Sequence, residues 1–341
     1  MIAASIAAVV RGMAPARDLR CVFVERDHGT AASLQTLLAG EFVDRIDWQV
    51  VCGDLSEKIG QIMIDAARLP VFMFLDPFGT ALPKQLLVDN VLKRTRGEGS
   101  VEVLLNFTIE GVWRIGGHLR AGGHGPTIAR ADDFLGGTWW HEIFEEARAK
   151  AEETGSSAPA ASAAKHVADE YNRMLVAETG YSVLSVPVRR TPTSQPFFQL
   201  SLIHQHPVAR LLFADAAAQA NRAWRRHFWD RDAEIANEPA QGYASALFDA
   251  MTEADWTREE EARQREVRER LVGRLRRLVG TNVHVSISDS LVDIFGEDLG
   301  LATESDLRYA WRQLTVEGLV DAAPSGRLRT ATMCQRTQSG I

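Results

Sequence analysis

The stretch Val71-Phe72-Met73-Phe74-Leu75-Asp76-Pro77-Phe78-Gly79 decides how the chain is read. Five consecutive apolar residues without alternation predict a strand buried on both faces, as in a parallel sheet covered by helices. Proline cannot donate to a ladder and fixes its own φ, so the strand ends at Asp76 and that carboxylate sits at the rim of a core. Towards the N-terminus, residues 19–25, with Val22 and Val24, form a second short apolar run, and residues 46–51 form a third that ends at Cys52-Gly53-Asp54. Residues 29–41 carry Leu34, Leu37 and Leu38 at helical spacing, and residues 56–67 read as a helix with Ser56 as N-cap. Beyond the turn, residues 82–94 read as a helix and residues 101–107 as another buried strand. Strands separated by single helices predict βαβ crossovers, hence an α/β, doubly wound, Rossmann-like sheet.

The remainder departs from that alternation. Residues 111–180 form a helical insertion that contains the glycine-rich stretch from Gly116 to Gly125, then Phe134-Leu135-Gly136-Gly137-Thr138-Trp139-Trp140. Helices are expected from residue 139 to about 153 and over 163–179, with the small, polar residues 154–162 as a mobile loop. Residues 183–189 and 197–204 predict an antiparallel hairpin. Residues 207–229 read as helix, 230–256 are loosely patterned, and 257–279 form a highly charged helix. Glu259 with Arg263 and Glu261 with Arg265 stand at i,i+4 on it, which predicts a solvated helix or strut. An extended segment at 281–287, helices at 288–296 and 303–318 (Thr303 as cap) and two short strands within 320–332 predict a winged-helix-like α+β unit. The expected division is 1–205, 206–280 as helical linker, 281–333, and a disordered tail at 334–341.

The 341 residues are enough for two domains, and 45% hydrophobic with 24% charged residues is ordinary for a globular protein. A formal charge of -7 gives no global attraction to nucleic acid or anionic membrane. Cys21, Cys52 and Cys334 are far apart and form no metal-ligand spacing, which argues against zinc and disulfide frameworks. Buried free thiols are expected at Cys21 and Cys52, in a cytoplasmic protein. Residues 2–13 read as an amphipathic helix, and no apolar stretch reaches the roughly 20 residues of a membrane span.

Ligands of open parallel sheets bind at the carboxyl ends of strands. Glu25, Asp54 and Asp76 fall at three such ends. Glu25 fits the two hydroxyls of a ribose, or a solvated loop beside Arg26 and Asp27. Asp54 fits the exocyclic amine of an adenine, or a cap before Ser56. At the third end, Asp76 and the Pro77 carbonyl can together hold an amine while Phe78 stacks on the base that carries it. The alternative is a tight turn whose Asp76 caps the next helix. Asn106 lines the same cleft or forms a turn. Trp139 and Trp140 stack on a substrate or belong to the core. His118, His124, His204 and His206 have no ligand spacing.

Taken together, Val22-Phe23-Val24-Glu25, Gly53-Asp54, Phe72-Met73-Phe74-Leu75-Asp76-Pro77-Phe78-Gly79, Leu104-Leu105-Asn106-Phe107 and Phe134-Leu135-Gly136-Gly137-Thr138-Trp139 resemble the three-Cys-motif partner family, TcmP. The resemblance covers most of residues 1–205. It implies a class I methyltransferase-like fold, S-adenosylmethionine as cofactor at Glu25 and Asp54, and an acceptor amine at Asp76, Pro77 and Phe78, with Asn106 and Trp139 at the substrate. It also implies a partner with a three-cysteine motif similar to radical S-adenosylmethionine enzymes. The acceptor class is a nucleic-acid base amine or a similar group. A catalytically inactive scaffold that binds the partner, and a DNA-binding regulator acting through the winged helix, are the competing expectations. The family opens with a strand and a loop of the form D-x-F-A-G-x-G, then Gly-Ser-Pro before a helix. Neither stands in this chain, so the natural start is expected several tens of residues upstream. That first strand would lie between those ending at Glu25 and Asp76.

Overall fold

The computed structural model describes residues 12, 18–41, 47–76, 82–94, 98–119, 125–237 and 251–336. The expected helix at 2–13 (apart from Gly12) and the turn residues Pro77, Phe78 and Gly79 lie outside the described residues. So do Gly122, Gly123 and His124.

Strand β1 (Arg20–Glu25) leads through helix α1 (His28–Glu41) to β2 (Asp47–Cys52), and the two strands pair in parallel. Alternate residues of both strands, Cys21, Phe23, Trp48 and Val50, pack with Leu34 and the buried Leu38 of α1. Helix α2 (Leu55–Asp65) follows and buries Ile59 and Met63. Strands β3 (Val71–Leu75), β4 (Val101–Thr108), β5 (Ser182–Arg189) and β6 (Pro196–His204) form a second sheet in the order β3-β4-β6-β5. β3 and β4 are parallel, and β6 runs antiparallel to both β4 and β5. Among the described residues no ladder joins β1 to β3. The result is a mixed α/β fold with an open sheet and a C-terminal region of helices and short strands.

β3 differs from the expectation of burial on both faces. Val71, Met73 and Leu75 face the main core, whereas Phe72 and Phe74 are 63% and 58% exposed. A five-residue apolar run reports that a strand is apolar, and not how many of its faces meet another layer. In β4, Val101, Val103, Leu105 and Phe107 are all buried on the core face.

That core is closed by helices. Residues 82–94 hold a short α3 (Lys84–Leu87) that widens into π-turns over Val88–Leu92, with Lys93 N donating to Val88 O at 2.9 Å. After β4 come α4 (Ile109–Leu119), α5 (Pro126–Leu135), α6 (Trp139–Glu153) and α7 (Pro159–Thr179). α7 begins four residues earlier than expected because Pro159 occupies its first turn, where a missing N–H leaves no bond unmade. The expected loop therefore shrinks to 154–158.

The C-terminal region holds a second core. Helix α8 (Val208–Asn237) and helix α9 (Glu253–Thr281) lead into β7 (His284–Ser286), α10 (Leu291–Phe295), α11 (Glu304–Val316) and β8 (Thr332–Cys334). α9 is not a solvated strut. Val267, Leu271, Leu275 and Val279 form a buried stripe at helical spacing, packed with Leu291, Ile294, Leu307 and Trp311. Its arginines reach across to Asp298, Asp306 and Glu317, and Arg263 pairs with Glu260 at i,i+3. Thr303 caps α11 as expected, in a capping box with Asp306. The two strands expected within 320–332 are replaced by β8, which pairs antiparallel with β7, and by a single bridge from Val320 to Gln335. Cys334 and Gln335 thus belong to a small sheet and not to a disordered tail.

No helix among the described residues is long and apolar enough to cross a membrane.

Candidate functional site at the carboxyl edge of the sheet

The register Leu75↔Leu105 sets Asp76 beside Asn106 at the ends of neighbouring parallel strands. Asn106 Nδ2 donates to Asp76 Oδ1 at 2.7 Å. The amide thereby fixes an exposed carboxylate, and leaves Asp76 Oδ2 unengaged among the described residues.

Glu25 stands at the end of β1. Its backbone carbonyl accepts from Gly53 N at 3.0 Å, which continues the parallel ladder, and its Oε1 accepts from Asp27 N at 2.8 Å. Oε2 has no partner among the described residues. Asp54 is committed locally. It is the N-cap of α2, a role expected of Ser56, and its Oδ1 accepts from Ser56 N at 2.9 Å and from Ser56 Oγ at 2.6 Å. The side-chain bond first, and then the backbone bond, hold the Asp54 carboxyl below the usual carboxylate range. The cap falls two residues earlier because an Asp side chain reaches the N2 amide directly.

Cys21 and Cys52 are half-buried free thiols, less buried than expected. Burial first, then the Asp47 charge, push the Cys21 thiol up. Cys52 Sγ lies 3.2 Å from His28 Nδ1, beside the Glu25 end of β1. Among the described residues no group of three or more His, Cys, Asp or Glu side chains is placed to hold a metal ion.

Trp139 is half-buried against the main core and donates its indole N–H to Leu135 O at 3.1 Å. Trp140 is fully buried. The sequence reading passed over its neighbours. Asp132 Oδ1 receives Trp140 Nε1 at 2.8 Å and His141 Nε2 at 2.7 Å. The signal was an acid, a Gly-Gly corner and Trp-Trp-His within ten residues, but only folding brings Asp132 back onto residues 140 and 141. Nearby, the buried Lys84 pairs with Glu178 at 2.5 Å, and that bond is the first cause holding the Glu178 carboxyl below its usual range.

His204 lies at the other end of the sheet. It is fully buried, donates from Nδ1 to His206 O at 3.0 Å, and has a buried Nε2 without a partner. Burial first, then the Arg210 charge, push its pKa down to about 4. The unfolded chain then binds a proton below about pH 6.5 that the native state refuses until about pH 4. Stability is therefore expected to be complete above pH 6.5 and to fall by up to about 3 kcal/mol as the pH drops to 4. Urea titrations across that window check this, and His204→Leu should flatten the profile.

No family model, no curated protein and no solved structure matches this chain. Fold and site define a mixed α/β protein with an open sheet, in which the Asp76 carboxylate and the Asn106 amide pair at the carboxyl ends of β3 and β4.

Proposed function

We propose that this protein is an S-adenosylmethionine-binding, methyltransferase-like enzyme of the TcmP kind, acting on an amine such as that of a nucleic-acid base. The observation that carries the reading is the Asp76–Asn106 pair at the carboxyl ends of the neighbouring strands β3 and β4. Strand order supports it. The resemblance puts a strand between those ending at Glu25 and Asp76, and among the described residues no ladder joins β1 to β3. In this reading the sheet is Rossmann-like, and α9, β7, α10, α11 and β8 with the Val320 bridge form a winged helix.

The residues at hand fit a ribose-bearing cofactor at Glu25, whose Oε2 is unengaged among the described residues. S-adenosylmethionine, when bound, supplies an electrophilic methyl group. Asp76 accepts from the acceptor amine and orients its lone pair, and Asn106 keeps the Asp76 carboxylate from turning away. Positioning of this kind supplies much of the rate for an already activated donor. Calorimetry on the unmodified protein tests the reading. S-adenosylmethionine should bind, and Glu25→Ala should weaken it about 10–100-fold, the worth of hydrogen bonds to a charged group. An absence of binding sinks it.

The inactive scaffold for a three-Cys-motif partner is favoured by one observation, the capture of Asp54 Oδ1 by its own helix. Asp76→Ala separates the two, since a scaffold keeps its biological activity and an enzyme loses it. Phosphate contact through Arg308 is disfavoured because that side chain is held by Glu304, Pro324 O and Gly326 O.

A further inference from the structure

We propose that Cys52 and His28 form a nucleophilic thiol–imidazole pair, a modification site that takes up one half of a small disulfide bearing carboxylates. The inference stands apart from the methyl-transfer reading.

The fold assembles the pair from two segments. Cys52 is the last residue of β2 and lies opposite Glu25, the last residue of β1. The chain leaves β1 through Arg26 and Asp27 and enters α1 at His28. Asp27 Oδ1 accepts from Thr30 N at 2.7 Å, and the Asp27 carbonyl accepts from Ala31 N at 2.9 Å. Those two bonds cap α1 and hold its first residue in place. His28 Nδ1 then stands 3.2 Å from Cys52 Sγ. The imidazole is exposed and Cys52 is half-buried, which puts the pair at the surface.

A thiol donates to Nδ1 in the tautomer that carries the ring proton on Nε2, and Nε2 has no partner among the described residues. A nucleophile within reach of a base is the arrangement that activates a cysteine. The other half-buried thiol of this sheet lacks it. Cys21 has no imidazole beside it among the described residues, and burial first, then the Asp47 charge, push that thiol up.

Lys58 supplies the charge preference. Gly53, at φ 146°, turns the chain out of β2 in a conformation that favours glycine. Having no Cβ, it lets the Lys58 side chain lie across it. A Cβ there would stand 2.6 Å from Lys58 Cε and 3.6 Å from Nζ. The ammonium has no partner among the described residues and lies against the residue that follows Cys52. The acids of the same corner each have an oxygen taken up locally: Glu25 Oε1 by Asp27 N, Asp27 Oδ1 by Thr30 N, and Asp54 Oδ1 by Ser56. Lys58 is therefore the group open to a carboxylate of the incoming molecule.

Cys52 Sγ attacks one sulfur of the disulfide as the S–H proton passes to His28 Nδ1. The new S–S bond forms and the old one breaks. Its electron pair leaves on the departing sulfur, which takes the proton back from the imidazolium. Cys52 is oxidised to a mixed disulfide and the departing half is reduced to a thiol.

Glutathione disulfide, applied to the full chain at neutral pH, tests this, with the adduct at each cysteine followed by peptide mass mapping. Cys52 should react about 10-fold faster than Cys21. His28→Ala should remove that advantage and leave Cys334 unchanged, which has its own imidazole, His284, at 3.3 Å. His28→Asn is a second variant that guards against misfolding. Equal rates at Cys52 and Cys21 in the unmodified protein overturn the proposal. So does an advantage that survives both substitutions, or a loss shared equally by Cys334. Lys58→Ala should slow glutathione disulfide about fivefold and leave the uncharged bis(hydroxyethyl) disulfide unaffected. An equal effect on both reagents overturns the preference for carboxylates.

Discussion

Phe107→Ala is expected to destabilise the main core by about 3–5 kcal/mol, the range for emptying a buried aromatic site. Phe107 is fully buried on β4. Its ring lies 5.3 Å from both Phe134 and Tyr171, and those two rings stack at 5.8 Å. The three rings join β4 to α5 and α7, so the hole cannot close without moving a helix. Burial first, and then the Glu178 charge, push the Tyr171 phenol up, so it stays protonated and adds no charge to the cluster. A typical domain has only about 5–15 kcal/mol to lose, which makes this substitution a large fraction of the total. Urea denaturation followed by tryptophan fluorescence checks it. Phe107→Leu, which keeps most of the volume, should recover more than half of the loss. The variant should also loosen the corner that carries Asp132 and His141, because Phe107 packs against Phe134 just before it. A cost below 1 kcal/mol would contradict the packing described.

Asp298→Ala should cost about 3 kcal/mol and act on the other core. Asp298 has no exposed surface and closes the short turn after α10. Its Oδ1 accepts from Arg270 Nη2 at 2.6 Å and its Oδ2 from Arg274 Nη1 at 2.7 Å. Its backbone carbonyl accepts from Leu301 and Ala302, both at 2.9 Å, so the backbone bonds survive the substitution. What the variant loses is the counter-charge of two arginines. Arg274 is largely buried and keeps only its bond to the exposed Glu297 at 3.1 Å, whereas Arg270, 38% exposed, can regain water. That difference sets the expectation at the lower end of the 3–5 kcal/mol typical of a broken buried pair. The Arg270 guanidinium is pushed up chiefly by its hydrogen bonds to this carboxylate. Amide exchange should quicken in α9 and α10 while β3 and β4 stay protected. Uniform acceleration across both cores would show that the two do not unfold separately.

Much of the secondary structure was legible because its causes are local. The apolar run before Asp76 and the run at 101–107 name two strands whatever surrounds them. The Pro and Ser between residues 189 and 197 name the hairpin, and Thr303 with Asp306 three residues on names a helix start. The failures were local ambiguities. Asp54 and Ser56 are both good caps, and only the path of the chain out of β2 chose Asp54. The charge on α9 hid a buried stripe, because Arg268, Arg270, Arg274 and Arg276 reach across to acids on other elements even though Arg258 and Arg263 pair along the helix.

The candidate site was legible as residue types and not as contacts. Glu25, Asp54 and Asp76 follow apolar runs, so their places at strand ends come from the one-dimensional pattern. The Asp76–Asn106 bond joins residues 30 apart and exists because β3 and β4 pair in one register; a shift by one residue would turn Asn106 to the other face. The return of Asp132 onto Trp140 and His141 depends on the Gly136-Gly137 corner and on its seat over Lys84. The exposure of Phe72 and Phe74 depends on what lies against β3, about which an apolar run is silent. Composition, periodicity and caps fix the elements, since each is set within a few residues. Strand order, the insertion of β6 between β4 and β5, and the pairing of charges with their partners needed the whole chain. They are contacts between distant residues, stabilised by packing that no short window contains.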